Sequence, residues 1–341
     1  MKQNNSYLEQ VIEYTKEYFI KYKDYKFTIP YRKSDFILSY KRHISEISNI
    51  EANQGFFSVF EEMAFYHIEY MTYLLFKKNP VVEEAHEHIQ YSNAYSFIML
   101  NTMEQANKCF SPAPSIWMKN GGFFFSLTIL TSTWEDVEKI GNILIGSING
   151  DNSVIGYGHP EHTKGWFILD LYSKVFNKEY SDQRVYLPDD YGVYAKVLKE
   201  WDSSDLKNLE LLVYKMCEYH LTKNITTLKK HIELEDDGEA VEYVDVNTFI
   251  IPYEILTWLK LREKAGLKNP KTFTHPLMNT PIAKMFLDIK ESLPKPTELP
   301  YTKKLLEKLK ERCPDVEIPS WLEDINAPKE NNTLPEDFLK E

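Results

Sequence analysis

Phosphate-cradling loops are missing from this chain: neither Gly-x-Gly-x-x-Gly nor the Walker pattern occurs, and only twelve of its 341 residues are glycine. That scarcity disfavours a nucleotide-binding fold built on glycine loops and favours helices joined by short turns. No Gly-x-Ser-x-Gly elbow is present, so a hydrolase nucleophile has no recognisable seat. Cysteine is equally sparse. Cys109, Cys217 and Cys313 are widely spaced and form no paired motif, which reads as three free thiols in a reducing compartment. The N-terminus, Met1-Lys-Gln-Asn-Asn-Ser, has no apolar signal-peptide core, so a cytoplasmic location is expected. The most apolar long run, Phe56 to Phe76, is interrupted by Glu61, Glu62, His67 and Glu69, and charges there are too costly for a bilayer span.

What the chain does have is apolar bulk and negative charge. Apolar residues make up 43%, with 23 Tyr and 19 Phe, ample for a sizeable core. Lys and Arg number 40 against 51 Asp and Glu, a formal net charge of −11. Such a surface repels phosphate backbones, so direct nucleic-acid binding is not expected. The basic excess that exists is confined to Met1–Ile50, with nine basic and six acidic residues.

Helical spacing of apolar residues runs through most of the chain. Two early helices are read at Tyr7–Tyr25 and Ser34–Ile50, and a third carries the stripe Phe57, Phe60, Ala64, Ile68, Met71 and Leu75. A long helix follows over Val81–Lys108, closed by Ser-Pro-Ala-Pro at Ser111–Pro114. Ser132-Thr-Trp-Glu matches a capping box and opens the next helix. After a loop at 146–164 come helices at about Gly165–Asn177, within Pro188–Trp201, and from an Asp202-Ser-Ser cap through His220. His231–Glu235 and Val241–Val246 alternate around Asp237-Gly238, which signals a hairpin. Pro252 and Glu254 suit the first turn of a further helix, Gly266 its left-handed end, and Thr280-Pro281 the cap of the one after. Pro294, Pro296 and Pro300 stiffen a connection to a helix at Tyr301–Arg312, before an acidic tail strapped on by Ile318 and Trp321. No fixed-period repeat is present. The expected fold is mainly α, an irregular multi-helix bundle with one small β-hairpin. Its expected parts are a helical domain over 1–224, the hairpin with the helices packed on it over 225–313, and an acidic Pro-spaced tail over 314–341.

Candidate chemistry is thin. His86 and His88 stand two apart on a helix, about 200° around it, so a solvated face is the better reading than a shared metal. His159 and His162 sit in a loop with no identifiable third ligand. Neighbouring carboxylates such as Glu61-Glu62, Glu83-Glu84 and Asp189-Asp190 diverge and read as solvated. The hairpin is different in kind: Glu233, Glu235, Asp236, Asp237, Glu239, Glu242 and Asp245 have no basic residue among them. Like charges across strands destabilise a hairpin unless it is flexible or meets a basic partner. The plain reading is a solubilising loop; the sharper one is an electrostatic docking element for a basic protein.

At Pro252-Tyr-Glu-Ile-Leu, Leu261-Arg-Glu-Lys-Ala-Gly-Leu and His275-Pro-Leu-Met-Asn-Thr-Pro the chain resembles immunity proteins of bacterial polymorphic toxin systems, including those paired with type VI secretion effectors. The resemblance covers Phe249–Ile282, about a tenth of the chain. It implies a non-enzymatic cytoplasmic protein of interbacterial competition that binds the C-terminal domain of its cognate toxin and blocks the active site or substrate access. No cofactor, metal, membrane, nucleic-acid or small-molecule partner is expected. Pro252, Glu254, Arg262, Gly266, His275, Pro276 and Met278 match the motif and are expected to hold its helices and turn together, with a Glu254–Arg262 ion pair conceivable. The competing readings are an all-helical metal-dependent enzyme drawing on His67, His86, His159, His162 or nearby carboxylates, and a helical adaptor or scaffold.

Overall fold

The computed structural model describes Glu9 and residues 56–76, 81–157, 162–181, 187–236 and 248–322, with the backbone alone at 76 and 225–236. The two helices expected before residue 51 lie outside the described residues, Glu9 apart. The protein is mainly α: α1 (Phe56–Phe76), α2 (Val82–Ala106), α3 (Met118–Thr131), α4 (Trp134–Asn149), α5 (Thr163–Phe176), α6 (Val193–Lys199), α7 (Leu206–Asp236), α8 (Tyr253–Lys264), α9 (Pro281–Asp288) and α10 (Thr302–Arg312). Strands β1 (Ile116–Trp117) and β2 (Ile155–Tyr157) pair in parallel, with α3 and α4 between them in sequence. No helix among the described residues is long and apolar enough to cross a membrane.

The first two described helices form an antiparallel hairpin. Val81 N–H donates to the Leu74 carbonyl at 3.3 Å, and His67 Nδ1 meets His88 Nδ1 at 2.7 Å further down. His88 is therefore turned onto α1 rather than left on a solvated face. Burial lowers His67 well below its ordinary value and His88 to about 4, so both rings are neutral and one donates to the other.

At the centre lies α3, buried without interruption from Gly121 to Thr131 and touching α2, α4, α5 and α8. Its sequence offers no stripe because every side is covered, so the periodicity that reveals other helices is absent. Two glycines let it meet α5 backbone to backbone. A Cβ on Gly122 would stand 2.4 Å from Gly165 Cα, and one on Gly165 would stand 2.7 Å from the Met118 carbonyl oxygen. Neither neighbour is a side chain that can swing away. Gly122→Ala is expected to push the two helices apart and cost about 1–3 kcal/mol, read as a lowered urea midpoint.

Several expected boundaries shift by a residue or more. Thr133, not Ser132, caps α4: its hydroxyl accepts from Asp136 N–H at 3.3 Å. Asp205 opens α7, its Oδ1 accepting from the amides of Lys207 at 3.0 Å and Asn208 at 3.2 Å, three residues beyond the cap expected at Asp202. The larger correction is at the other end of α7. His231–Glu235 is helix, not the first strand of a hairpin, and the small β element is the parallel β1–β2 pair. Leu221, Ile225, Leu228 and Ile232 step four, three and four residues, so helical propagation from a long preceding helix overrides a five-residue alternation. The expected second strand, 241–246, lies outside the described residues.

One contiguous core runs from Phe56 to Val316 and joins elements on both sides of residue 224, with α8 packed on α3 and α5. Ile318 and Trp321 pack against it. The reading of three free thiols is corrected: Cys109 and Cys313 are disulfide-bonded, their Cα atoms 5.7 Å apart across 204 residues of sequence, and Cys217 alone is free and buried. Spacing gives no sign of this because the fold, not a local motif, brings the pair together.

Candidate functional site

The dense punctuation of 249–282 turns out to frame a buried polar junction between α7 and α8. Pro252 stands at the N-cap of α8 rather than at the first helical position expected for it, which Tyr253 takes, and its carbonyl accepts from the amides of Ile255 and Leu256, each at 3.0 Å. Glu254 follows in the first turn, where the helix dipole favours negative charge, and is fully buried. Its Oε1 accepts from His220 Nδ1 at 2.8 Å and from the Tyr194 hydroxyl at 3.2 Å. His220 Nε2 lies 2.9 Å from the Phe249 carbonyl, which also accepts from Asn224 Nδ2 at 3.0 Å. An acceptor thus faces each ring nitrogen, the Glu254 carboxylate at Nδ1 and the Phe249 carbonyl at Nε2. Lys164 Nζ, 3.3 Å from His220 Nδ1, brings a positive charge to face the carboxylate.

Electrostatics follow from these contacts. Burial by itself would raise the Glu254 carboxyl, but the charges of His220 and Lys164, with the hydrogen bonds, outweigh it and hold the group at about 2. Burial, reinforced by the Glu254 charge, pushes the Tyr194 hydroxyl well above its ordinary value and keeps it a neutral donor.

Beside this lies a second histidine–glutamate contact of reversed polarity. His275 caps the 3-10 turn Pro276–Asn279, its Nδ1 accepting from Leu277 N–H at 3.1 Å, while its Nε2 donates to Glu218 Oε1 at 2.8 Å. The backbone donor fixes the tautomer. Burial lowers the His275 pKa despite the opposing pull of Glu218. Helix α7 thus supplies Glu218 to His275 and His220 to Glu254, clasping the motif at two points.

Arg262 does not pair with Glu254. It is fully buried and donates to the carbonyls of Trp201, Ser203 and Lys268 and to Asn269 Oδ1. Gly266 has φ +75° and closes α8 as expected: its N–H donates to the Glu263 carbonyl and that of Leu267 to the Arg262 carbonyl. Pro276 starts the 3-10 turn, Met278 is buried, and Thr280 caps α9 by accepting from Ala283 N–H at 3.2 Å.

Chemically this arrangement is a clamp. Glu254, His220 and Tyr194 are each 0% exposed and so cannot meet a substrate in this conformation. Two surface clefts, one between α2 and Leu293–Pro296 and one between α8 and α9, offer about 10 Å³ each, room for a water molecule. Among the described residues no group of three or more His, Cys, Asp or Glu is placed to hold a metal ion. His67 contacts His88, His86 lies elsewhere on α2, His162 precedes α5, and His159 lies outside the described residues.

Of the acidic candidates, Glu233, Glu235 and Asp236 fall on the last turn of α7; Asp237, Glu239, Glu242 and Asp245 lie outside the described residues. His220, Glu218, Asn224 and Tyr194 were not legible as site residues, since their partners stand 25 to 60 residues away in sequence. The fold and this junction define a mainly α, multi-helix protein with a clasped two-helix motif. The chain matches no family model, no curated protein and no solved structure.

Proposed function

We propose that the chain is an immunity protein that binds the C-terminal domain of a cognate antibacterial toxin in the cytoplasm and blocks its active site or substrate access. The observation that carries this reading is the anchorage of the acidic segment. His220 and Asn224 hold the Phe249 carbonyl, so the middle of α7 and the chain returning to the motif are fastened together. Beyond Asn224, α7 continues for twelve residues to Asp236, about 18 Å of helix, carrying Glu233, Glu235 and Asp236 at its end. An acidic element on a fixed base suits a basic cleft, because pre-organisation reduces the ordering cost of binding and complementary charge speeds encounter. A toxin that acts on nucleic acid has such a cleft, since it must attract phosphates. The net charge of −11 and the motif resemblance agree with this reading. It needs no cofactor and no direct contact with nucleic acid or membrane.

Co-purification with the C-terminal domain encoded beside its gene, together with survival on co-expression, tests the proposal. A stable complex and rescued growth are expected; neither appearing would overturn it. Changing Glu233, Asp236, Asp237 and Glu239 to Lys should slow association by at least about tenfold and flatten its salt dependence. Unchanged kinetics would remove the acidic segment from the interface.

A further inference from the structure

We infer that Cys109 and Cys313 form a reversible thiol–disulfide site that latches residues 293–322 onto α2. This stretch is held on the helical body by a series of separate contacts. Leu293 N–H donates to the Thr131 carbonyl at 2.8 Å, and Lys295 Nζ reaches Asp136 Oδ2 at 2.5 Å while lying over the rings of Phe97 and Trp321. The Tyr95 hydroxyl donates to the Pro300 carbonyl at 2.8 Å. Gln105, at the end of α2, grips Glu317 twice: its Nε2 donates to the Glu317 carbonyl at 3.2 Å, and Glu317 N–H donates to its Oε1 at 2.6 Å. Both Gln105 contacts are at exposed positions, and such bonds are worth about 1 kcal/mol each net. After α10 the stretch is held besides by Val316, buried in the core, by Ile318 and Trp321 packed against it, and by one covalent bond.

The disulfide sits at that place. Cys313 ends α10, its N–H donating to the Leu309 carbonyl at 2.7 Å, and Cys109 lies just past the end of α2, four residues from Gln105. The two sulfurs differ in access: Cys313 is 1% exposed, whereas Cys109 is half-buried. An incoming thiolate therefore attacks Cys109 Sγ, the disulfide breaks, and Cys313 leaves as the thiolate. A second external thiol resolves the mixed disulfide and restores Cys109. In the forward direction glutathione disulfide is the oxidant. Cys109 thiolate displaces one glutathione, Cys313 thiolate then displaces the other from Cys109, and two protein thiols plus one glutathione disulfide become one protein disulfide plus two glutathione thiols. Cys217 is buried, and burial with the nearby Glu254 and Glu218 charges raises its thiol pKa well above the ordinary value. It stays out of the exchange.

The test uses the full chain equilibrated in glutathione buffers from fully oxidised to fully reduced, followed by alkylation in denaturant and hydrogen exchange. One alkylatable thiol is expected in the oxidised chain and three in the reduced chain. On reduction the amides of 314–322 should exchange roughly tenfold faster while those of 123–130 in α3 stay protected. Cys109→Ser should exchange fast at 314–322 in both buffers, and Cys217→Ser should behave as the unmodified chain. Three alkylatable thiols in excess glutathione disulfide would overturn the inference, as would unchanged exchange at 314–322 on reduction. Simultaneous loss of protection in α3 would make the bond a staple of the whole fold and overturn the latch. None of these outcomes depends on whether a toxin binds.

Discussion

Arg262→Ala is expected to lower stability by about 3–5 kcal/mol, because several hydrogen bonds from a charged donor, about 1.5–3 kcal/mol each, are lost together with a buried side chain. The guanidinium is buried, and its donors are spent on three backbone carbonyls and one amide oxygen rather than on a carboxylate. Two of those carbonyls, Trp201 and Ser203, belong to the connection between α6 and α7; the other two acceptors, at Lys268 and Asn269, follow the end of α8. One side chain therefore ties two loops to one helix end. Truncation takes the Arg262 donors from the Ser203 and Lys268 carbonyls and from Asn269 Oδ1, leaves the Trp201 carbonyl only Trp258 Nε1 at 3.3 Å, and opens a void beside Trp258. Burial lowers the Arg262 pKa and the nearby Asp202 opposes that, but a guanidinium keeps its charge, and the negative end of the α8 dipole favours it. Lysine should not rescue, because a single ammonium cannot reproduce the planar fork. Urea unfolding of Arg262→Ala and Arg262→Lys decides the matter. A loss below about 1 kcal/mol, the size of an exposed ion pair, would sink the account.

Replacement of Glu254 by Gln should cost about 3 kcal/mol at pH 7, because the buried hydrogen bonds from His220 and Tyr194 lose their charged acceptor. Its effect on pH dependence is more diagnostic. The folded carboxyl stands at about 2, below the ordinary glutamate value of 4.5. A depressed carboxylate contributes stability that is complete above the unfolded value and is lost as pH falls through the folded one. The unaltered chain should therefore lose stability between about pH 4.5 and 2 from this group, and the Gln variant should be flatter across that window. Parallel stability curves for the two chains from pH 6 to pH 2.5 would contradict the assignment. Because His220 and Glu254 are in contact, adding His220→Asn to the variant should cost less than the two single losses together.

Much of the helical layout was legible in the residues themselves. The stripe through Phe57, Phe60, Ala64 and Ile68 marked α1, Thr280-Pro281 marked the start of α9, and Gly266 marked the end of α8. These are local effects: a period of 3.6 residues, a side-chain oxygen within reach of its own helix amides, a residue free to adopt positive φ. The same locality explains the misreading of His231–Glu235. Five alternating residues beside Asp-Gly satisfy a strand rule, yet the helix that reaches them from Leu206 adds hydrogen bonds at each step and prevails. Helix α3 was missed for the opposite reason, since a segment covered on all sides keeps no polar face to set a period.

The sequence by itself determined that this chain is a mainly helical protein with a large aromatic core, a net negative charge and firm caps around 249–282. Those properties depend on composition and on neighbours within a turn or two. Only the tertiary structure decided that His220 meets Glu254, that Glu218 meets His275, that Arg262 serves backbone carbonyls instead of Glu254, and that Cys109 joins Cys313. Each contact links residues far apart in the chain, and a buried charge accepts whichever partner packing delivers within about 3 Å, without regard to sequence distance.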